Sequence, residues 1–123
     1  MIKLVLLMIA QSSMLVLSQV FLKAALRRVP SEGLTLISRS IHLITDIRAI
    51  LAVLSLVVSG LIWIFVLKKY DFSLAYPLVS ISYIIAMLVS YFYFKENING
   101  LTIAGVSIIM LGVVLLTLSK KII

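Results

Sequence analysis

The chain has 123 residues, of which 63% are hydrophobic and only 12% charged, with a mean hydropathy of +1.28. A soluble domain of this size has no interior large enough for that apolar content, so residues 1–123 read as one integral membrane domain. The net charge of +7 does not point to nucleic acid, because the basic residues lie at the ends of apolar segments, where they suit lipid head groups and phosphates.

With no cysteine there is no disulfide frame and no thiolate metal site, and a single histidine, His42, cannot build a metal site alone. No cofactor is implied.

Ile2 to about Leu26 is the first predicted span, long enough for the ~20 apolar residues that a bilayer core requires. It reads as a span and not as a cleavable signal, because its apolar core is too long. Ser12, Val16, Gln19 and Lys23 fall in one narrow stripe at steps of four, three and four. Lys23 lies near the far end, Arg27 is one turn further on, and Arg28 stands beside it.

Arg27 to Arg48 is the only long connection. Pro30, Ser31 and Gly33 break the helix. Leu34, Ile37, Ile41, Ile44 and Ile47 then repeat at helical spacing, between Ser38, Arg39, His42, Thr45 and Arg48. That pattern predicts an amphipathic helix at the membrane interface, continuing into the next span, with His42 a solvated or head-group residue.

The second span runs from about Ala49 to Leu67. Ala52, Ser59 and Trp63 share one side, flanked by Ser55 and Gly60, and small residues of this kind let helices approach closely. Lys68 to Asp71 is a very short turn, so the second and third spans are antiparallel neighbours.

The third span is predicted as a single helix from Phe72 to Phe94. Ser73, Tyr76, Ser80, Tyr83, Met87 and Ser90 recur at steps of three and four, which lines five hydroxyls along one face. A face of that kind should meet other helices or a polar cavity, and it reads as the wall of a transport pathway. Pro77 has no N–H and leaves the Ser73 carbonyl without its usual donor. Tyr91 to Phe94 form an aromatic interfacial belt.

Lys95, Glu96, Asn97 and the Asn99-Gly100 pair form the next turn, and Leu101 to Leu118 the fourth span, stopped by Lys120 and Lys121. Gly105 and Gly112 are seven residues apart on one face and read as packing residues, within the chain or across a dimer. The predicted fold is all-α, with four transmembrane helices and an interfacial amphipathic segment between the first two.

Four spans place Lys3, Lys68, Lys69, Lys120 and Lys121 on one side, and Arg27, Arg28, Arg39, Arg48 and Lys95 on the other, with Lys23 at its helix end. Loop charge sets orientation, and here it is balanced. Dual insertion would permit an antiparallel dimer with two-fold symmetry in the membrane plane.

The stretch Ser73-Leu-Ala-Tyr-Pro-Leu-Val-Ser80, then Phe94-Lys-Glu96, Gly105 and Leu111-Gly-Val-Val114 resembles the drug/metabolite transporter superfamily, in its four-helix small multidrug-resistance-like branch. Small multidrug-resistance exporters carry a glutamate in helix one, whereas all four acids here (Glu32, Asp46, Asp71 and Glu96) lie in turns or at helix ends. They also place a tryptophan in helix three, whereas Trp63 falls in the second span.

The chain is more similar to the small flippase subunits that move aminoarabinose-undecaprenyl phosphate. Gln19 and Lys23 match that family's helix-one glutamine and lysine, Ala75-Tyr76-Pro77 its helix-three signature, and Glu96 its turn glutamate. Asn97 stands where the family often has proline, and the amphipathic connection is longer.

The resemblance implies a multi-pass transporter of the bacterial cytoplasmic membrane. It would act as a dimer, with itself or a paralogue, and flip a lipid-linked sugar phosphate without making or breaking a bond. The residues assigned to substrate are Gln19, Lys23, Arg27, Tyr76, Ser80, Tyr83 and Glu96. Lys23 has three readings. It holds a phosphate with Arg27 and Arg28, it snorkels to the interface, or it pairs with Glu96.

Gln19 bonds either a sugar hydroxyl or a neighbouring helix, and the serines of helix three either line the pathway or bond their own backbone. Two other functions fit the composition: an exporter of small solutes or cations, and a small membrane subunit that stabilises a larger partner.

Overall fold

The computed structural model describes residues 2–29, 33 and 35–122. Pro30, Ser31, Glu32 and Leu34, expected to break the first helix and begin the amphipathic repeat, lie outside the described residues, as does the side chain of Lys121. Six helices follow in order: α1 (Ile2–Arg28), α2 (Leu36–Thr45), α3 (Ile47–Lys69), α4 (Phe72–Leu78), α5 (Ile81–Phe92) and α6 (Gly100–Ile122). Four spans are long and apolar enough to cross a membrane: α1, α3, α4 with α5, and α6. The protein is an all-α, multi-pass membrane protein, as its hydropathy predicts.

The main packing is α1 against α3. Small residues drive it: Ala49, Ala52, Ser55 and Ser59 are buried on α3, and Ser12 and Ser18 are buried on α1. Without a hydrophobic effect between helices in lipid, close backbone approach supplies the dispersion energy that holds them. A polar knot crosses this interface. Gln11 Nε2 donates to Ser59 Oγ at 3.2 Å, and Ser59 Oγ donates to the Gln11 carbonyl at 3.1 Å.

A second contact gathers Leu4 and Met8 of α1, Val66 of α3, Ala75 and Leu78 of α4, and Val113 of α6. Leu4, Met8 and Val66 stand near the end of the bundle where α1 begins and α3 turns back. Buried residues continue to the other end, with Ala24 and Ala25 of α1 and Ala49 of α3.

The expected connection from α2 into α3 is broken at Asp46. Its backbone leaves the helical region, its carboxylate accepts from the Arg48 N–H at 3.0 Å, and α3 starts afresh. Thr35 caps the front of α2 in the same way. Leu36, Ile37, Ile41 and Ile44 of α2 are each more than half exposed, and an apolar face with no protein against it suits a helix lying in the interface.

The third span is not the single helix that periodicity predicts. Directly after Pro77 the chain tightens at Val79 and Ser80. Val79 N–H reaches the Tyr76 carbonyl at 3.1 Å, and Ser80 N–H the Pro77 carbonyl at 3.0 Å, both three residues back. The span ends at Phe92, not Phe94.

The expected turn is present up to Asn99, which caps α6, and Gly100 is already the first helical residue. The Asn99 Oδ1 accepts from the Thr102 N–H and Oγ1, each at 2.9 Å. The share of each span that is buried falls from 33% in α1 to 6% in the α6 span, so α6 is the least buried of the four spans. A Cβ built on Gly105 or Gly112 meets nothing within 4 Å. The expected glycine face is therefore not used within the chain.

Candidate functional site

α1 leaves the membrane region through Lys23 and Arg27, one turn apart on the same face. The turn after α5 comes to meet them. Tyr93 N–H caps onto the Val89 carbonyl at 2.8 Å, and Lys95 takes a left-handed backbone with φ 53°. That reversal lets Glu96 N–H close on the Ser90 carbonyl at 2.9 Å. It aims the Glu96 carboxylate back at α1, where Lys23 Nζ donates to Oε1 in an ion pair.

Phe94 lies under both cations: Lys23 Nζ is 4.4 Å and Arg27 Cζ 4.7 Å from its ring centroid. Attraction of a cation to a ring face is worth about 0.5–1 kcal/mol at exposed sites.

The Lys23 hydrogen bond holds the Glu96 carboxyl below its ordinary value of 4.5. The Lys23 charge, a hydrogen bond from Ser90 and the Arg27 charge act in the same direction, and partial desolvation opposes them. The paired side chains are 44% and 41% exposed, so the cluster is half-wet. Two cations against one carboxylate leave one net positive charge on an aromatic floor. An anion of phosphate type fits there by taking the place of the carboxylate.

Of the predicted site residues, the structure brings together Lys23, Arg27 and Glu96. Of the three readings of Lys23, the pair with Glu96 is the one it contains. Gln19, Tyr76, Ser80 and Tyr83 are not part of that contact. Gln19 is exposed and lines a separate cleft of about 360 Å³ with Ser18, Leu22, Ala49 and Val53.

Tyr76 and Tyr83 are 59% and 57% exposed, so these two hydroxyls of the helix-three row face outward, whereas Met87 of the same row lines a cleft of about 490 Å³ between α5 and α6. Tyr76 packs edge-on against Trp63, with ring centroids 6.2 Å apart, and tilted against Phe72 at 5.1 Å. Ser80 stands in the tightened turn, and Ser90 supports Glu96. Ser12 and Val16 of the predicted stripe are buried.

Two residues were missed. Phe94, read as part of the belt, is the platform for both cations. Gln11 is one of three buried polar side chains of α1, with Ser12 and Ser18, and its signal was the polar triplet Gln11-Ser12-Ser13 in mid-span.

No family model matches the chain, and no solved structure matches it significantly. Curated relatives do. The chain is 37% identical over 60 residues to a Proteus mirabilis protein named a probable 4-amino-4-deoxy-L-arabinose-phosphoundecaprenol flippase subunit ArnE, covering 49% of this chain and 53% of the relative. A Pseudomonas fluorescens protein of the same name is 34% identical over 67 residues, covering 54% and 59%.

A Photorhabdus laumondii protein of that name is 35% identical over 69 residues, covering 56% and 61%. The matches therefore span a little over half the length of these relatives. The relatives are named as flippase subunits, which are transporters and not enzymes. The resemblance read from Gln19, Lys23, Ala75-Tyr76-Pro77 and Glu96 is borne out: the chain is similar to the aminoarabinose-phosphoundecaprenol flippase subunits.

Proposed function

We propose that the chain is a subunit of a flippase for polyprenyl-phosphate-linked sugars in the bacterial cytoplasmic membrane, working as a dimer with itself or a paralogue. The observation that carries this reading is the contact of Lys23, Arg27 and Glu96 over the Phe94 ring at the exit of α1. It is a cationic, half-wet site beside apolar helices, suited to an amphiphile with an anionic head. The names of the curated relatives supply the substrate class, and the word subunit in those names supports an assembly.

In this mechanism the Glu96 carboxylate occupies Lys23 while the site is empty. An arriving phosphate replaces it, with Arg27 as the second donor. Gln19 and the hydroxyls of Tyr76, Ser80 and Tyr83 meet the sugar on the outward face, and the polyprenyl tail stays in lipid. Gly105 and Gly112, open within the chain, pack against the second subunit.

The test is flipping of a fluorescent polyprenyl-phosphate sugar in proteoliposomes, read as access of an impermeant quencher. Protein-dependent exposure is expected. Loss of one charge-assisted contact, worth about 1.5–3 kcal/mol, makes Lys23→Ala slower by about tenfold or more. Unchanged flipping in Lys23→Ala would remove the phosphate role. Uptake of a small solute, with no lipid exposure, would assign the chain to the exporters instead.

A further inference from the structure

A second cleft, of about 560 Å³, lies between α1 and α5, within the roughly 300–1,000 Å³ usual for ligand pockets. Val20 of α1 and Val89 of α5 are among its walls, and the lining runs along α1 from Ser13 to Ala24. At a rise of about 1.5 Å per residue that stretch is about 16 Å long, or about half the ~30 Å hydrocarbon core. The cleft is thus about one leaflet deep. At its Ala24 end stand Arg48, from the first turn of α3, and Tyr93, from the end of α5.

Arg48 is well placed to receive an anion. Asp46 holds its backbone N–H at 3.0 Å, which fixes the root of the side chain at the positive end of α3. No carboxylate pairs with its guanidinium among the described residues. A guanidinium binds phosphate through two parallel donors, and the Tyr93 hydroxyl adds a third. One cationic mouth leads to one apolar track, which suits one hydrocarbon chain per head group.

We propose that this cleft seats the first part of the chain of a polyprenyl phosphate, with its phosphate on Arg48 and Tyr93. The proposal rests on the flippase reading and adds to it a docking place next to the Lys23–Glu96 pair. Ala24, at the mouth, is the chain neighbour of Lys23, so a phosphate docked on Arg48 lies near the turn of α1 that carries the pair.

The test is equilibrium binding of farnesyl phosphate and of farnesol to the purified full chain in detergent, by native mass spectrometry. Farnesyl phosphate should bind more tightly. Arg48→Gln should weaken farnesyl phosphate by about tenfold and leave farnesol unchanged, a pattern that a general loss of fold does not give, and Arg48→Lys should restore part of the loss. Val20→Trp, which fills the cleft, should weaken both ligands, and Val89→Phe serves if that variant does not fold.

Equal binding of farnesyl phosphate to Arg48→Gln and to the unmodified chain would overturn the proposal, and so would displacement by phosphatidylglycerol at equal concentration, which would make the cleft a site for bulk lipid. Binding as expected, with no flipping in proteoliposomes, keeps the cleft and removes the flippase. Flipping undiminished in Val20→Trp removes the cleft and keeps the flippase.

Discussion

Lys95 shows how a single backbone angle builds the site. Its φ of 53° is the one positive value at a residue other than glycine among the described residues, and it turns Glu96 back toward α1. A β-branched residue tolerates that region poorly, at a cost of about 1–3 kcal/mol. Lys95→Val should therefore lower thermal stability in detergent by that order, whereas Lys95→Gly should hold it.

Glu96 carries a pH signature. Its folded-state pKa lies below the ordinary 4.5, so its contribution is fully present above that value and is lost as the pH falls through the lowered one. Melting temperature should be insensitive to this pair from neutral pH to about pH 5, and the difference between the unmodified chain and Glu96→Gln should close only in stronger acid.

Much of this site was legible in the sequence: Lys23, Arg27 and Glu96 were all named, and the topology put them on one side. Phe94 and Gln11 were not recognised, and Arg48 was read only as a basic residue of its side, because a ring platform, a cleft mouth and a buried amide depend on which neighbour each side chain meets. Helical spacing alone does not supply that information.

At the scale of the element, hydropathy and turn chemistry foresaw the four spans, the short Lys68–Asp71 connection and the apolar face of α2. Periodicity misjudged the third span, since a regular row of hydroxyls carries no sign of a change from α to tighter winding. The physical cue was Pro77, which leaves the Ser73 carbonyl without its donor, and the tighter winding at Val79 and Ser80 stands directly after it. The joint lies between the cluster around Leu4 and Val66 and the end that holds the ion pair. Pro77→Ala restores a donor and should join α4 to α5. We expect higher thermal stability, together with flipping slowed several-fold, because a proline inside a helix costs about 3 kcal/mol and its removal stiffens the span. Flipping assays run beside melting curves on the same preparation would check both.

For the molecule as a whole, the basic residues are balanced between the two ends, and under the positive-inside rule such a balance makes orientation easy to shift. Replacing Lys68 and Lys69 with alanine removes two of five charges from one side, so the opposite end, with Arg27 and Arg48, should become cytoplasmic in nearly every copy. Cysteine accessibility labelling would read this directly, because the sequence contains no cysteine of its own.

The Lys23–Glu96 pair has an electrical consequence under the proposed exchange. Its ammonium is neutralised before the lipid arrives, by the carboxylate, and afterwards, by the phosphate, so Lys23 never presents a bare ammonium to the hydrocarbon. The protein's own charges then give a membrane potential little to pull on. A potential of 100 mV acts with about 2.3 kcal/mol on each elementary charge carried across. Any voltage dependence of flux would thus report the net charge of the lipid itself, strong for a singly anionic head group and nearly absent for a zwitterionic one.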